Sequence, residues 1–270
     1  MHPTFVQTCR RMLGVAWLLI ATPSLVTAAE TVAARTKITV AAASSLQPLL
    51  DPLQTRFAAA HRELELVFIT AATGSLVAQI RHGAPYDVLL AADLDYPRTL
   101  VASGEADADA LFTFALGQLV LIPRPPAASE DWTTRLRDPA VRRIAIGNPD
   151  IAPYGRAARE VLRRAGLWDE LTPKIVIGDN IAQALQFVSR GHAEYGFVAL
   201  SQLRLLDGDG PLNPSAYWAF PDTLPQGALL LKRAKQPMAA GVFLSWLQDD
   251  DARAVLHQFG YRDPADVADR

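Results

Sequence analysis

The chain is poor in the residue types that most often carry catalysis or cross-link a small secreted fold. Its 270 residues include one cysteine, Cys9, and five scattered histidines. One cysteine cannot form an internal disulfide, and the histidines do not recur at the spacing of metal ligands. The sequence also lacks a G-x-S-x-G elbow, a Walker loop and an H-E-x-x-H motif. These absences argue against a disulfide scaffold, a zinc site and the common hydrolase and nucleotide-binding chemistries.

An excess of positive charge is also missing, since 26 Lys and Arg face 28 Asp and Glu. Proteins that bind nucleic acid present a basic face, so this composition argues against a nucleic-acid partner. Near the start, Arg10 and Arg11 precede the apolar run Met12–Ala21, and the small residues 26–28 follow. This pattern predicts a signal peptide over residues 1–28 and export of the remainder. Cleavage would leave 24 basic and 28 acidic residues, a net charge of −4, and no cysteine.

After this leader, short apolar runs alternate with segments whose apolar residues recur at helical spacing. The predicted strands are Ile38–Ala43, Leu66–Thr70, Asp87–Ala92, Gln118–Ile122, Arg143–Gly147, Lys174–Gly178, Tyr195–Leu200 and Ala228–Lys232. The predicted helices are Leu46–His61, which we expect Pro52 to bend, and Ser75–His82, Arg98–Ser103, Arg156–Ala165, Ile181–Ser189, Met238–Gln248 and Asp251–Phe259. This alternation is typical of an α/β protein with mostly parallel sheets, which bind ligands at the carboxyl ends of their strands.

Five of the predicted strand ends run into a helix start through small, hydroxyl-bearing or turn-forming residues. Ser44 and Ser45 follow the first strand, and Thr73 follows the second. The other junctions lie at 147–155, 180–181 and 199–201. Each one alone fits ordinary helix capping. None places a charged side chain at the loop apex, however, and hydroxyls and backbone N–H groups at helix starts suit a compact, fully ionised oxyanion. The repeated pattern therefore predicts an oxyanion site.

Six motifs, three of them twelve residues or longer, occur in the same order over most of the chain after the leader. They are VAAASSL (40–46), GSLVAQIRHGAPYDVLLAAD (74–93), LGQLVLI (116–122), IAIGNPDIAPYGRAAREVL (144–162), AGLWDELTPKIV (165–176) and FGY (259–261). Together they resemble the periplasmic molybdate-binding proteins of the ModA type. The resemblance implies a type II periplasmic binding protein, a monomer whose two lobes close on molybdate or tungstate. It also implies delivery of the ligand to the membrane permease and ATPase of an ABC importer, with no cofactor and no enzymatic activity.

The resemblance also implies which residues hold the ligand. Carried over position by position, the molybdate ligands fall on Ser45 and Thr73, and on Tyr154 and Ile181 through their backbone N–H groups. Many family members have a tyrosine hydroxyl where this chain has Ala199. Tyr154, Ser44 or a water molecule would then replace that donor, or the site has one contact fewer. We therefore count Ser44 and Ala199 as further candidate positions.

Two-lobe proteins of this kind cross twice between their lobes, and we place the crossings near Ala115–Gln118 and Ser215–Ala219. Lobe I is then 30–116 plus 218–270, and lobe II is 117–217. This division puts Ser45 and Thr73 on one lobe and the other two main ligands on its partner. A ligand that contacts both lobes stabilises the closed state.

Two other functions are compatible with the sequence. A receptor for sulfate or another tetrahedral oxyanion would have the same type of site, because these anions share shape and charge. An exported hydrolase-like enzyme would need a base beside a serine, and His61 lies sixteen residues from Ser45 along one predicted helix.

Charged residues outside the junctions are expected to have structural roles. The arginines at 156, 159, 163 and 164 face away from the apolar stripe of their predicted helix, which favours a solvated surface. Asp87 and Asp93 flank a buried strand and are expected to accept structural hydrogen bonds.

Overall fold

A computed structural model describes residues 35–124, 131–207 and 213–267. The predicted signal peptide at 1–28 lies outside these ranges. The described strands are β1 (Thr36–Ala43), β2 (Leu64–Ala71), β3 (Val88–Ala91), β4 (Leu111–Pro123), β5 (Ile144–Gly147), β6 (Ile175–Gly178), β7 (Tyr195–Ala199) and β8 (Trp218–Leu230). The described α-helices are α1 (Leu50–Ala60), α2 (Thr73–Arg81), α3 (Asp95–Ala102), α4 (Trp132–Arg137), α5 (Pro153–Arg164), α6 (Trp168–Leu171), α7 (Ile181–Ser189), α8 (Arg204–Asp207), α9 (Pro237–Trp246) and α10 (Asp250–Gln258).

The strands form one sheet in the order β2-β1-β3-β8-β4-β7-β5-β6. The pairs of β1 with β2 and β3, and of β5 with β6 and β7, are parallel. The pairs made by β8 with β3, and by β4 with β7 and β8, are antiparallel. We call β1–β3 the first half of the sheet and β5–β7 the second half, with β4 and β8 joining them. The predicted α/β class is confirmed, and the sheet is continuous and mixed.

The joining strands β4 and β8 have 13 residues each, much longer than the sequence pattern predicts. In β8, Pro221 and Pro225 argue against a strand in the sequence, because proline has no N–H to donate to a neighbouring strand. The pairing of β8 with β3 begins at Gly227, so neither proline faces β3. Pro225 pairs with Leu116 of β4, and Pro221 lies at the irregularity in the β4 pairing between Ala219 and Thr223. A strand bordered on one side tolerates the missing N–H groups.

The first predicted helix is interrupted, and the expected bend at Pro52 is replaced by a change of helix type. Residues Ser44–Leu49 form a 3₁₀ helix that contains Pro48, and α1 begins only at Leu50. Pro52 therefore falls in the first turn of α1, where an N–H has no intrahelical partner to lose. Phe57 fixes α1 on the core by edge-on packing against Phe243 and Trp246 of α9.

None of the helices in the described ranges combines the length and apolarity that a membrane crossing requires. The residues that the structure describes, 35–124, 131–207 and 213–267, belong to one compact unit. The boundaries of lobe I (30–116 plus 218–270) and lobe II (117–217) stay a prediction, and the description below refers to the two halves of the sheet.

Candidate functional site

A small cavity lies where strand ends from both halves of the sheet converge. Its free volume, counted together with the part that is open to solvent, is about 180 Å³. It is lined by Ala43, Ser44, Ser45, Ala71, Ala72, Thr73, Ala92, Ala152, Pro153, Tyr154 and Ile181. Five residues that the sequence singles out, Ser44, Ser45, Thr73, Tyr154 and Ile181, are thus brought together. Their roles as ligands of an anion remain predictions.

The described residues that line the cavity carry no charged side chain. Three helices begin at its wall instead: Thr73 is the first residue of α2, Tyr154 the second of α5 and Ile181 the first of α7. The first N–H groups of a helix lack intrahelical partners and carry the positive end of its dipole. Because Pro153 has no N–H, the amide of Tyr154 is the first that α5 can offer. The cavity can therefore attract an anion without a counter-charge.

The hydroxyl of Ser45 is buried at the cavity without a hydrogen-bond partner. Ser45 is 1% exposed, and its Oγ makes no hydrogen bond among the described residues. Ser44, beside it, is also buried. A buried hydroxyl without a partner costs about 1–3 kcal/mol, so native proteins rarely keep one unless a ligand or a water meets it.

Thr73 supplies a second hydroxyl at the cavity and is fully buried. Its Oγ1 accepts a hydrogen bond of 3.2 Å from the backbone N–H of Ala92, at the end of β3. That bond fixes the oxygen while leaving the hydroxyl proton for donation. At the start of α7, Asn180 caps the helix by accepting from the N–H groups of Ala182 and Gln183. Asn180 does not accept from the N–H of Ile181, so this cap leaves that N–H for a ligand.

Tyr154 has a side chain that is buried together with its hydroxyl, which makes no hydrogen bond of normal geometry in the described residues. The hydroxyl packs over Gly117 of β4, where an added Cβ would lie 2.1 Å from it. Gly117 does not line the cavity, so this packing favours the backbone N–H as the donor that Tyr154 offers there. Burial raises the pKa of Tyr154 well above that of an ordinary phenol, and the neighbouring Tyr261 hydroxyl adds to the effect.

Ala199 is not brought to the cavity wall. It is fully buried at the end of β7, pairs with Leu119 of β4, and donates its N–H to Oε1 of Gln202 at 3.0 Å. Ser201, two residues after Ala199, donates its hydroxyl to the backbone carbonyl of Ser45 at 2.8 Å. The fifth junction therefore contacts the first junction.

Arg156 is partly exposed, as expected for a solvated surface, but it also bridges the halves of the sheet, which the sequence does not predict. It forms ion pairs with Asp93 and Asp95, which follow β3, and its guanidinium lies 5.8 Å from the ring centre of Tyr96. Asp93 also accepts from the N–H of Tyr96, and burial raises its pKa although Arg156 opposes the shift. A sequence pattern could not reveal this pair, since its members are 63 residues apart.

Asp87 has the structural role that the sequence predicts. Its carboxylate accepts from the backbone N–H groups of Thr39, Lys235 and Gln236. These bonds tie β1 and the start of α9 to β3. Within the described ranges, no group of three or more His, Cys, Asp or Glu side chains is placed to hold a metal ion.

Comparison with known proteins assigns this chain to a family. The family model described as "Bacterial extracellular solute-binding protein" matches residues 38–262. The chain belongs to this family. Its relatives include the "Molybdate-binding protein ModA" of Azotobacter vinelandii, which is 39% identical over 193 residues, or 70% of this chain and 75% of that protein. The ModA of Rhodobacter capsulatus is 36% identical over 70% of this chain and 74% of its own length.

A solved structure agrees with these relatives. The periplasmic molybdate-binding protein of Azotobacter vinelandii matches with a TM-score of 0.79 and 33% identity, covering 84% of this chain and 99% of that chain. The resemblance to ModA-type solute-binding proteins and the type II binding-protein fold are thereby confirmed. These relatives are binding proteins by name.

Proposed function

We propose that this chain binds molybdate or tungstate in the cavity and acts as the substrate-binding component of an ABC importer. The observation that carries the proposal is the buried Ser45 hydroxyl, which lacks a partner in a cavity walled by three helix starts. The ModA relatives support molybdate as the anion. The ligand is a transported solute rather than a cofactor, and the chain has no catalytic role.

The proposed mode of binding uses neutral donors from both halves of the sheet. Ser45 and Thr73 donate hydroxyl protons from the first half, and Tyr154 and Ile181 donate backbone N–H groups from the second. Ser44 is a further donor beside Ser45. The helix dipoles of α2, α5 and α7 offset the charge of the anion. Because the full set of donors is complete only when the halves are in contact, the ligand stabilises the closed state.

The periplasm is the proposed location, reached after removal of residues 1–28. There the chain would work as a monomer and pass its anion to a membrane permease and its ATPase. The export pattern at Arg10 and Met12–Ala21 supports this location, and so does the description of the Azotobacter vinelandii structure as periplasmic.

Titration calorimetry of the anion-free mature chain tests the proposal. Molybdate, tungstate, sulfate and phosphate are titrated separately into the same preparation. One-to-one binding of molybdate or tungstate, with much weaker binding of the other two, is the expected result. Preferential binding of sulfate would make the chain a receptor for another tetrahedral oxyanion. Absence of heat with all four anions would overturn the oxyanion proposal.

A further inference from the structure

The backbone carbonyl of Ser45 is held by two hydroxyl groups from distant parts of the chain. Ser201 donates its hydroxyl to this carbonyl at 2.8 Å, and the Tyr261 hydroxyl lies 3.3 Å from the same oxygen. The two hydroxyls are 3.4 Å apart. All three residues are at most 3% exposed, so water does not compete for these bonds.

The proline three residues after Ser45 explains why this carbonyl needs outside donors. Ser45 lies in the 3₁₀ helix Ser44–Leu49, where each carbonyl ordinarily accepts from the N–H three residues later. For Ser45 that residue is Pro48, which has no N–H. A buried carbonyl without a partner is costly, and the Ser201 and Tyr261 hydroxyls supply the missing bonds.

The two donors come from different parts of the fold. Ser201 follows β7 in the second half of the sheet, and Tyr261 follows α10 near the end of the described chain. Ser45 follows β1 in the first half. The carbonyl of Ser45 therefore joins three segments at a residue that lines the cavity.

We propose that Ser201 and Tyr261 are positioning residues for the oxyanion, because their hydroxyls fix Ser45 so that its own hydroxyl points into the cavity. The inference rests on the proposed function and adds two residues that do not line the cavity. It also gives the fifth junction a role: Ser201 acts on the ligand through Ser45, while Ala199 remains in the strand.

The test measures molybdate affinity by calorimetry and thermal stability without ligand for Ser201→Ala and Tyr261→Phe. Loss of one hydrogen bond to the Ser45 carbonyl should weaken affinity about 3- to 10-fold. The double variant should weaken it further than either single change. Ser201→Thr keeps the hydroxyl and should stay within about twofold of the wild type. The calorimetric stoichiometry reports the folded fraction of each variant.

Two matched variants separate positioning from general stability. Ser103→Ala removes a hydroxyl that bonds the Leu100 carbonyl at 3.2 Å, and Tyr86→Phe removes one that bonds Gln79 at 2.5 Å. Both bonds lie away from the cavity, so both changes should leave molybdate affinity unchanged. Tyr86 is buried and Ser103 is exposed, so Tyr86→Phe should lower thermal stability and Ser103→Ala should change it little.

A rescue experiment addresses the role of Pro48 itself. In the Ser201→Ala background, Pro48→Ala restores an N–H three residues after Ser45 and should recover part of the lost affinity. Pro52→Ala in the same background restores an N–H in the first turn of α1, seven residues from Ser45, and should recover none.

The outcomes distinguish this inference from the proposed function. If the wild type binds molybdate and both single variants keep its affinity while losing thermal stability, the inference is overturned and the function stands. If the wild type binds none of the four anions, the proposed function fails and the inference fails with it.

Discussion

At the scale of single residues, Ser45 has the most distinctive environment of the candidate ligands. Its hydroxyl is buried and unpartnered, and its carbonyl is held from behind by Ser201. The free chain therefore carries an unmet hydrogen bond that an anion can meet. Such sites bind tightly in part because the empty state is costly.

Replacing Ser45 by alanine should weaken molybdate binding about 10- to 100-fold, because a hydrogen bond to a charged group contributes about 1.5–3 kcal/mol. Stability without ligand should stay the same or rise, since the change removes an unpartnered hydroxyl. Calorimetry and thermal denaturation measure the two effects. Ser75→Ala is the control, because Ser75 lies on α2 but does not line the cavity. Equal affinities for the two variants would contradict the assignment of Ser45.

Tyr261 should make the chain sensitive to alkaline pH. Burial raises its pKa to about 12, above the ordinary value of about 10 that applies to the unfolded chain. The stability that this phenol contributes is therefore complete below about pH 10 and is lost as pH rises through about 12. The shift corresponds to about 2–3 kcal/mol.

Urea denaturation between pH 9 and 12 measures this effect. The free energy of unfolding of the wild type should fall more steeply than that of Tyr261→Phe, and the difference between the two should shrink toward the alkaline end. Parallel curves would mean that this phenol titrates normally in the folded chain.

At the scale of elements, the close approach of α5 to β5 places the amide of Tyr154 at the cavity. Gly155 makes this approach possible, since a Cβ at that position would lie 2.1 Å from the carbonyl oxygen of Gly147. The carbonyl oxygen is a backbone atom and the Cβ is bonded directly to the backbone, so a rotamer change cannot relieve the clash. The helix start must move instead.

Gly155→Ala should therefore lower both stability, by a few kcal/mol, and molybdate affinity, by more than about 10-fold. Gly241→Ala is the matched control, because Gly241 lies inside α9 with open space around it. That change should raise stability by about 0.5–1 kcal/mol and leave affinity unchanged. Thermal denaturation and calorimetry measure both quantities. A Gly155→Ala chain with normal affinity would show that α5 can shift without displacing its donor.

At the scale of the whole molecule, several contacts hold the halves of the sheet together beside the cavity. The N–H of Gly74 donates to the carbonyl of Ile151 at 2.9 Å, and the Tyr96 hydroxyl donates to the carbonyl of Asp150 at 2.8 Å. Arg156 adds its ion pairs with Asp93 and Asp95. In the proposed mode of binding, these contacts would add to the ligand in favouring the closed arrangement over an open one.

Arg156→Ala should weaken molybdate binding about 3- to 10-fold without altering the cavity wall, since it leaves the buried Asp93 without its cation in the closed state. Because the side chain of Arg156 is partly exposed, solvent screening weakens its ion pair and limits the loss of affinity. Calorimetry measures the affinity. Arg137→Ala is the control, because Arg137 pairs with Glu170 at 3.1 Å and both belong to segments that flank the second half. An equal effect of the two substitutions would argue against a role for Arg156 in closure.

The amino-acid sequence by itself determined the local features of this protein. Apolar runs and helical stripes are properties of neighbouring residues, so the α/β class and most elements could be predicted from them. The hydroxyls of Ser45 and Thr73 and the helix start at Ile181 follow from the same local patterns. The six collinear motifs indicate the ModA resemblance, because the order and spacing of motifs are properties of the chain alone.

Only the tertiary structure decided how distant segments meet. The long antiparallel pairing of β4 with β8 gives strand structure to a proline-containing segment that would not form a strand alone. The ion pair of Arg156 with Asp93, the packing of Gly155 on Gly147, and the bond from Ser201 to the Ser45 carbonyl also join separate elements. Such contacts depend on which element packs against which, and local propensity does not encode that choice.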